Sequence, residues 1–128
     1  MIPKLILASA SPRRLELLKN AKINPDIIHP ANIDETIKKK EKSNCYLKRI
    51  SLEKALNVQE KYKGDIILAA DTIVSTNQKI IGKPIDDKEA VKTLKFLSGR
   101  NHIVKTGICV LFKNKKKFQV LRGGLGWN

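Results

Sequence analysis

The chain has 128 residues, with 26 Lys+Arg against 12 Asp+Glu and a formal charge of +14. A hydrophobic content of 41% excludes a wholly disordered chain, and no apolar run approaches the roughly 20 residues of a membrane-spanning helix. The length suits one domain with a core of its own.

Leu5-Ile6-Leu7-Ala8 is a short apolar run of the kind that forms a buried strand. Ser11-Pro12 follows as an N-cap with proline at the first helical position, predicting a helix from Pro12 to about Asn20 with Leu15 and Leu18 inward. Ala8-Ser9-Ala10 resembles a signal cleavage site, but the apolar run before it is too short and Pro12-Arg13-Arg14 follows at once. No signal peptide is expected. Residues 22–44 read as loop and extended chain, with Lys38-Lys39-Lys40-Glu41-Lys42 a solvated turn.

A longer helix is predicted from about Asn44 to Tyr62, then a strand from Asp65 to Ala70 that ends at Asp71-Thr72. Ile73-Val74 and Ile80-Ile81 flank the Asn77-Gln78 turn as a hairpin. Asp86 and Glu89 cap a helix carrying Ala90, Val91, Leu94 and Leu97, which Gly99 closes. His102 to Phe112 reads as a strand, and Lys115-Lys116-Lys117 as a turn into a strand over Phe118 to Leu121. This order predicts an α/β domain with a mixed sheet flanked by helices.

Five groups of residues could carry chemistry. Ser9-Ala10-Ser11-Pro12-Arg13-Arg14 joins a strand to a helix start, where free backbone N–H groups and the positive dipole end favour an anion. An ordinary N-cap with two surface arginines is the plain alternative. Yet two of only five arginines stand in the first helical turn, where the dipole disfavours cations, and a bound phosphate would offset that cost.

Asp71-Thr72 closes the run Ile66 to Ala70, so its carboxylate stands at a strand end, where open α/β sheets bind ligands. It could hold a divalent metal or take a proton from water, or merely cap the next turn. Lys54 projects about 20° from Leu47 on the helical wheel, inside the apolar stripe of Ile50, Ser51, Ala55 and Val58. A lysine there must snorkel, pair with a carboxylate or reach a bound anion. Lys61 projects nearby but lies close to the helix end, where snorkelling is easy. Gly82-Lys83-Pro84 holds a lysine between two backbone-restricting residues, and Asp34-Glu35 is an acidic pair in a basic stretch that hints at a metal. His102 lacks a Ser or Cys partner at a recognisable spacing and reads as structural.

Together these pieces resemble one family, the Maf proteins, which are nucleoside triphosphate pyrophosphatases. Leu5 to Arg14 is similar to the family's opening L-A-S-x-S-P-R-R, and Asp34-Glu35-Thr36, Glu53-Lys54-Ala55, Ala70-Asp71-Thr72 and Gly82-Lys83-Pro84 follow in order. Leu97-Ser98-Gly99-Arg100, His102 and Thr106-Gly107 complete the match over residues 5–107. The resemblance implies a cleft between two α/β lobes, similar to the inosine triphosphate pyrophosphatases, and hydrolysis between the α and β phosphates. Asp71 would match the proton acceptor. Ser9, Ser11, Arg13, Arg14, Lys54, Thr72 and Lys83 would bind substrate, and Glu35 with Asp71 would hold Mg²⁺ or Mn²⁺. Arg13 after Ser11-Pro12, with Thr72 after Asp71, is similar to members acting on dTTP and UTP. The branch that takes 7-methyl-GTP has a bulkier residue at the first site and Gln at the second.

Family members continue with a D-K-A-G-x-Y-x-I-Q-G stretch that this sequence lacks, and Gly123 to Asn128 match nothing in the family pattern. The expectation is therefore a single domain over 1–128, C-terminally incomplete with a divergent tail over 113–128, and an inactive remnant of the enzyme is one alternative. A basic nucleic-acid-binding protein is another, but aromatic residues are only 5% and the basic residues are scattered. Lys supplies 21 of the 26 basic residues and Ile occurs 16 times, a bias that A/T-rich coding also produces, so a solvated lysine surface accounts for the charge. A third alternative is a folded but inactive domain acting as a homodimer. Cys45 and Cys109, far apart and in no metal spacing, fit a reducing cytoplasm.

Overall fold

The computed structural model describes residues 2–76, 79–81 and 103–122. The elements are β1 (Leu5–Leu7), α1 (Pro12–Asn20), β2 (Ile27–Ile28), α2 (Ser43–Gln59), β3 (Ile66–Thr76), β4 (Lys79–Ile81), β5 (Ile103–Phe112) and β6 (Lys115–Arg122). Lys83, His102 and the helix expected over 86–99 lie outside the described residues. Among those described, no helix is long and apolar enough to cross a membrane.

The mixed sheet predicted from the sequence is present, in the order β2-β1-β3-β5-β6 with β4 also on β3. β1 pairs parallel with both β2 and β3, and β5 pairs antiparallel with β3 and β6. β1 is central and apolar throughout, as a short strand buried on both faces requires, and Ile6 and Leu7 are buried. α1 matches its predicted bounds. Ser11 sits in extended backbone as its N-cap and accepts from the Arg14 N–H, and Pro12 supplies the first turn.

α2 lies across one face of the sheet and turns Tyr46, Leu47, Ile50, Ser51, Ala55 and Val58 into the core. Its partners there are Ile6, Ala8, Ile67, Ala69, Cys109 and Leu111 in one cluster, and Ile73 in the next. α1 stands beside the other face, where Leu17 and Leu18 border a hollow with Leu7, Leu68, Ala70 and Ile108.

Two strands run further than the sequence pattern indicated. β3 does not end at Asp71-Thr72 but continues to Thr76, because β5 pairs with it from Ile66↔Phe112 to Ser75↔Ile103. β6 begins at Lys115, where a turn was expected, since Lys115 to Lys117 stand in register with Phe112, Leu111 and Val110. A paired neighbour overrides weak strand propensity in both cases. The lysines of β6 are exposed, and charge on an outer strand discourages unwanted edge pairing.

Helix and sheet approach closely at Gly107, which faces Asp71 across β3 and β5. A Cβ built there would come within 2.8 Å of the Leu47 Cβ and 3.3 Å of both the Leu47 carbonyl and the Phe118 ring. Gly107→Ala should push α2 from the sheet and cost about 1–3 kcal/mol. A urea melt reads this as a lower midpoint with an unchanged slope, and a midpoint equal to wild type would contradict the close packing.

Candidate active site

The site begins with a gap in strand pairing. β5 occupies one edge of β3 almost throughout, so β1 and β4 share the other. β1 covers Ile66 to Leu68 and β4 covers Val74 to Thr76. The Ala8 N–H extends β1 by donating to the Leu68 carbonyl, after which the chain turns into α1. Among the described residues no strand pairs with 69–73 on that side, and Asp71 and Thr72 lie in this opening.

Alternation along β3 sends these two side chains to opposite faces. Asp71 points to the α2 side with Ala69 and Ile73, and is only 2% exposed. Lys54, from the apolar stripe of α2, reaches it with Nζ 3.4 Å from Oδ1. The same ammonium lies 3.2 Å from the Glu35 carboxylate, so Lys54 bridges two acids contributed by distant segments. Pairing with carboxylates is thus the outcome for this lysine, among the three that its wheel position allowed.

Thr72 points to the α1 side, where its hydroxyl accepts from Arg14 Nη2 at 2.9 Å and shares a 3.0 Å hydrogen bond with Thr106. Arg14 Nη1 also approaches Ser9 Oγ at 3.5 Å, and Ser9 accepts from the Ser11 N–H at 3.1 Å. Burial pulls the Arg14 guanidinium down from its ordinary pKa, while the charges of Asp71 and Glu35 pull it up. The cation therefore senses both carboxylates although it bonds to neither. Ser9, Ser11, Arg14, Lys54, Thr72, Asp71 and Glu35 accordingly gather around one opening. The Arg13 side chain and Lys83 lie outside what is described.

Of the acidic pair, only Glu35 takes part. Asp34 accepts from the Thr36 N–H at 2.9 Å and from its hydroxyl, closing a local turn that holds its pKa below the usual value. Among the described residues no three His, Cys, Asp or Glu side chains gather as a metal cage. Glu35 and Asp71 are the two donors that converge.

Several contributors had no signal in the sequence spacing. The Tyr46 hydroxyl donates to the Glu35 carbonyl at 2.8 Å, and burial, then Asp71 and Glu35, push its pKa up to about 12, so it remains a donor at neutral pH. Arg49 grips Glu41 through Nε at 2.7 Å and Nη2 at 2.8 Å, and also donates to the Thr36 carbonyl at 2.9 Å. Lys105, 1% exposed, donates to Ser43 Oγ at 2.9 Å and Asn44 Oδ1 at 3.1 Å at the start of α2. Burial lowers its pKa, with Arg122 adding to the effect. The partners of all three lie across turns or strands, where no local period can point to them.

Fold and site together define an α/β domain with carboxylates and cations collected at an open sheet edge. The chain belongs to the Maf family: the sequence profile of Maf-like protein matches residues 4–123. It is 47% identical over 119 residues to a dTTP/UTP pyrophosphatase of Rhizobium etli, covering 88% of this chain and 58% of that protein. A dTTP/UTP pyrophosphatase of Brucella abortus is 44% identical over 124 residues, covering 92% and 60% respectively. One from Caulobacter vibrioides is 45% identical over 109 residues, covering 85% and 56%. The chain thus spans less than two thirds of the length of these relatives. In fold it is similar to a HAM1 protein from Coxiella burnetii, with a TM-score of 0.63, 18% identity, and coverage of 95% of this chain and 72% of that one.

The Arg49–Glu41 pair gives a pH test. Hydrogen bonds from Arg49 hold the Glu41 pKa below its ordinary 4.5 in the folded chain. A depressed folded pKa contributes stability above the unfolded pKa, lost as pH falls through the folded one. The stability gap between wild type and Glu41→Gln should therefore be widest near neutral pH and narrow below about pH 4. Urea midpoints across that range check it, and a gap independent of pH would contradict it.

Proposed function

We propose that this chain works as a nucleoside triphosphate pyrophosphatase, converting a (d)NTP to (d)NMP and pyrophosphate with dTTP and UTP as preferred substrates. The observation that carries the reading is the buried Asp71 at the open edge of β3, flanked by Lys54 on one face and by Thr72 with Arg14 on the other. The preference rests on the substrates named for the relatives and on Arg13 and Thr72 in the positions described above.

A triphosphate requires several positive groups at once. Arg14 and Lys54 supply charge, and the α1 start supplies N–H groups beside the Ser9 and Ser11 hydroxyls. Arg13 and Lys83 join them in this reading. Asp71 accepts a proton from the attacking water as its oxygen bonds to the α-phosphorus. The bond from that phosphorus to the bridging oxygen breaks, and the oxygen departs with the pyrophosphate.

The donor set fits Mg²⁺ or Mn²⁺, because Glu35 and Asp71 converge on a point already occupied by a cation, the Lys54 ammonium. Two carboxylates suit an ion shared with substrate phosphates and water rather than one caged by protein alone. Such an ion, when bound, neutralises charge on the phosphate oxygens. Lys54 would then transfer its contact from carboxylate to phosphate.

The cytoplasm is the compartment that accompanies this reading, supported by the free cysteines Cys45 and Cys109. Homodimer formation is a further part of it, measured by light scattering on the same sample.

The test is pyrophosphate release from dTTP, UTP, 7-methyl-GTP and ITP with Mg²⁺ or Mn²⁺. Turnover should favour dTTP and UTP, and Asp71→Asn should lower it at least ~100-fold. A folded sample that turns over none of the four, or an Asp71→Asn variant as fast as wild type, contradicts the proposal.

A further inference from the structure

Glu35 stands in residues 29–42, a stretch that contains neither helix nor strand. Backbone pairing within an element does not fix its position, so tethers from elsewhere must. α2 supplies them, one turn apart. Tyr46 Oη donates to the carbonyl of Glu35 and Arg49 Nη2 to the carbonyl of Thr36, so two consecutive carbonyls are pinned from one helix. Arg49 Nε and the same Nη2 also grip the Glu41 carboxylate, which in turn accepts from the Lys38 N–H at 3.0 Å, while Nη1 pairs with Glu53 at 3.6 Å. Arg49 therefore ties the loop on the C-terminal side of Glu35 at two points, and its guanidinium also lies 5.5 Å from the centre of the Tyr46 ring. Lys54, which meets the Glu35 carboxylate, stands further along the same helix.

We infer that Arg49, with Tyr46, is a positioning residue: it sets the Glu35 carboxylate opposite Asp71 and thereby sets the affinity of this pair for a divalent cation. The inference rests on the metal part of the function proposed above. Arg49 touches neither Asp71 nor the α1 start, so its effect passes through Glu35. A planar fork that bridges a carboxylate and a carbonyl is a geometry an ammonium cannot reproduce, so lysine is a poor substitute there.

The experiment is Mn²⁺ binding to the full chain, followed by the electron paramagnetic resonance signal of the free ion, with thermal melting of each variant alongside. Partners that orient a metal ligand are worth 10- to 100-fold in affinity, so Arg49→Gln should raise the dissociation constant about tenfold or more. Arg49→Lys should not restore it. Tyr46→Phe, which removes only the hydroxyl, should weaken binding in the same direction and serves if Arg49→Gln does not fold. Because Arg49 acts through Glu35, Arg49→Gln combined with Glu35→Gln should bind no more weakly than Glu35→Gln alone.

Normal Mn²⁺ affinity in folded Arg49→Gln and Tyr46→Phe, with Glu35→Gln weakened, overturns the inference and leaves the metal reading standing. An additive loss in the double variant likewise overturns it alone. Wild-type affinity in Glu35→Gln overturns both, because Glu35 would then be no ligand.

Discussion

The burial of one carboxylate governs this structure. Asp71 lies in the interior of β3, a position where an unpaired negative charge would be severely destabilising. Its neighbours in the fold can be read as consequences. Lys54 sits on the sheet-facing side of α2 because Asp71 is opposite it. Arg14 is carried to the same edge by a helix that starts as soon as β1 ends. Removing one member of such a buried pair typically costs about 3–5 kcal/mol, since the charge left behind has no partner.

The same balance explains how a site arises from a stable fold. At rest, Lys54 serves two carboxylates, and Arg14 spends its hydrogen bonds on Thr72 and Ser9. These cations are held in place by interactions that can be exchanged. In the proposed function a polyphosphate offers them more negative charge than the carboxylates do, while Asp71 and Glu35 become available to a metal. The gap between β1 and β4 leaves the edge of β3 free for this exchange, and Gly107 keeps α2 close enough for Lys54 to reach across.

Much of this was legible because it depends on local period or capping. Ser11-Pro12 fixed the start of α1, and the Leu47–Val58 wheel placed Lys54 on the sheet-facing side of α2. The hairpin expected around Asn77-Gln78 has its strands paired antiparallel, with Val74 opposite Ile81. Asp71 stands out in the pattern, but the end of its strand does not, because aspartate disfavours strands and only the β5 partner extends one through it. Tyr46, Arg49 and Lys105 carry no local signal for a related reason. Each is polar on an element whose apolar pattern draws attention elsewhere, and each bonds to a group 11 or more residues away or to a solvent-side segment. Nothing in the pattern Asp34-Glu35 distinguishes the residue that closes a turn from the one that meets Lys54.

In the proposed function the open edge of β3 is a joint site, in which divalent cation and triphosphate each create part of the other's binding surface. Equilibrium titration of Mn²⁺ with and without a non-hydrolysable α,β-methylene analogue of dUTP tests this most directly. The account predicts that the analogue tightens Mn²⁺ binding about tenfold or more, that Mn²⁺ tightens the analogue by the same factor, and that Asp71→Asn removes the coupling. Independent binding of the two, or coupling of full size in Asp71→Asn, would contradict it.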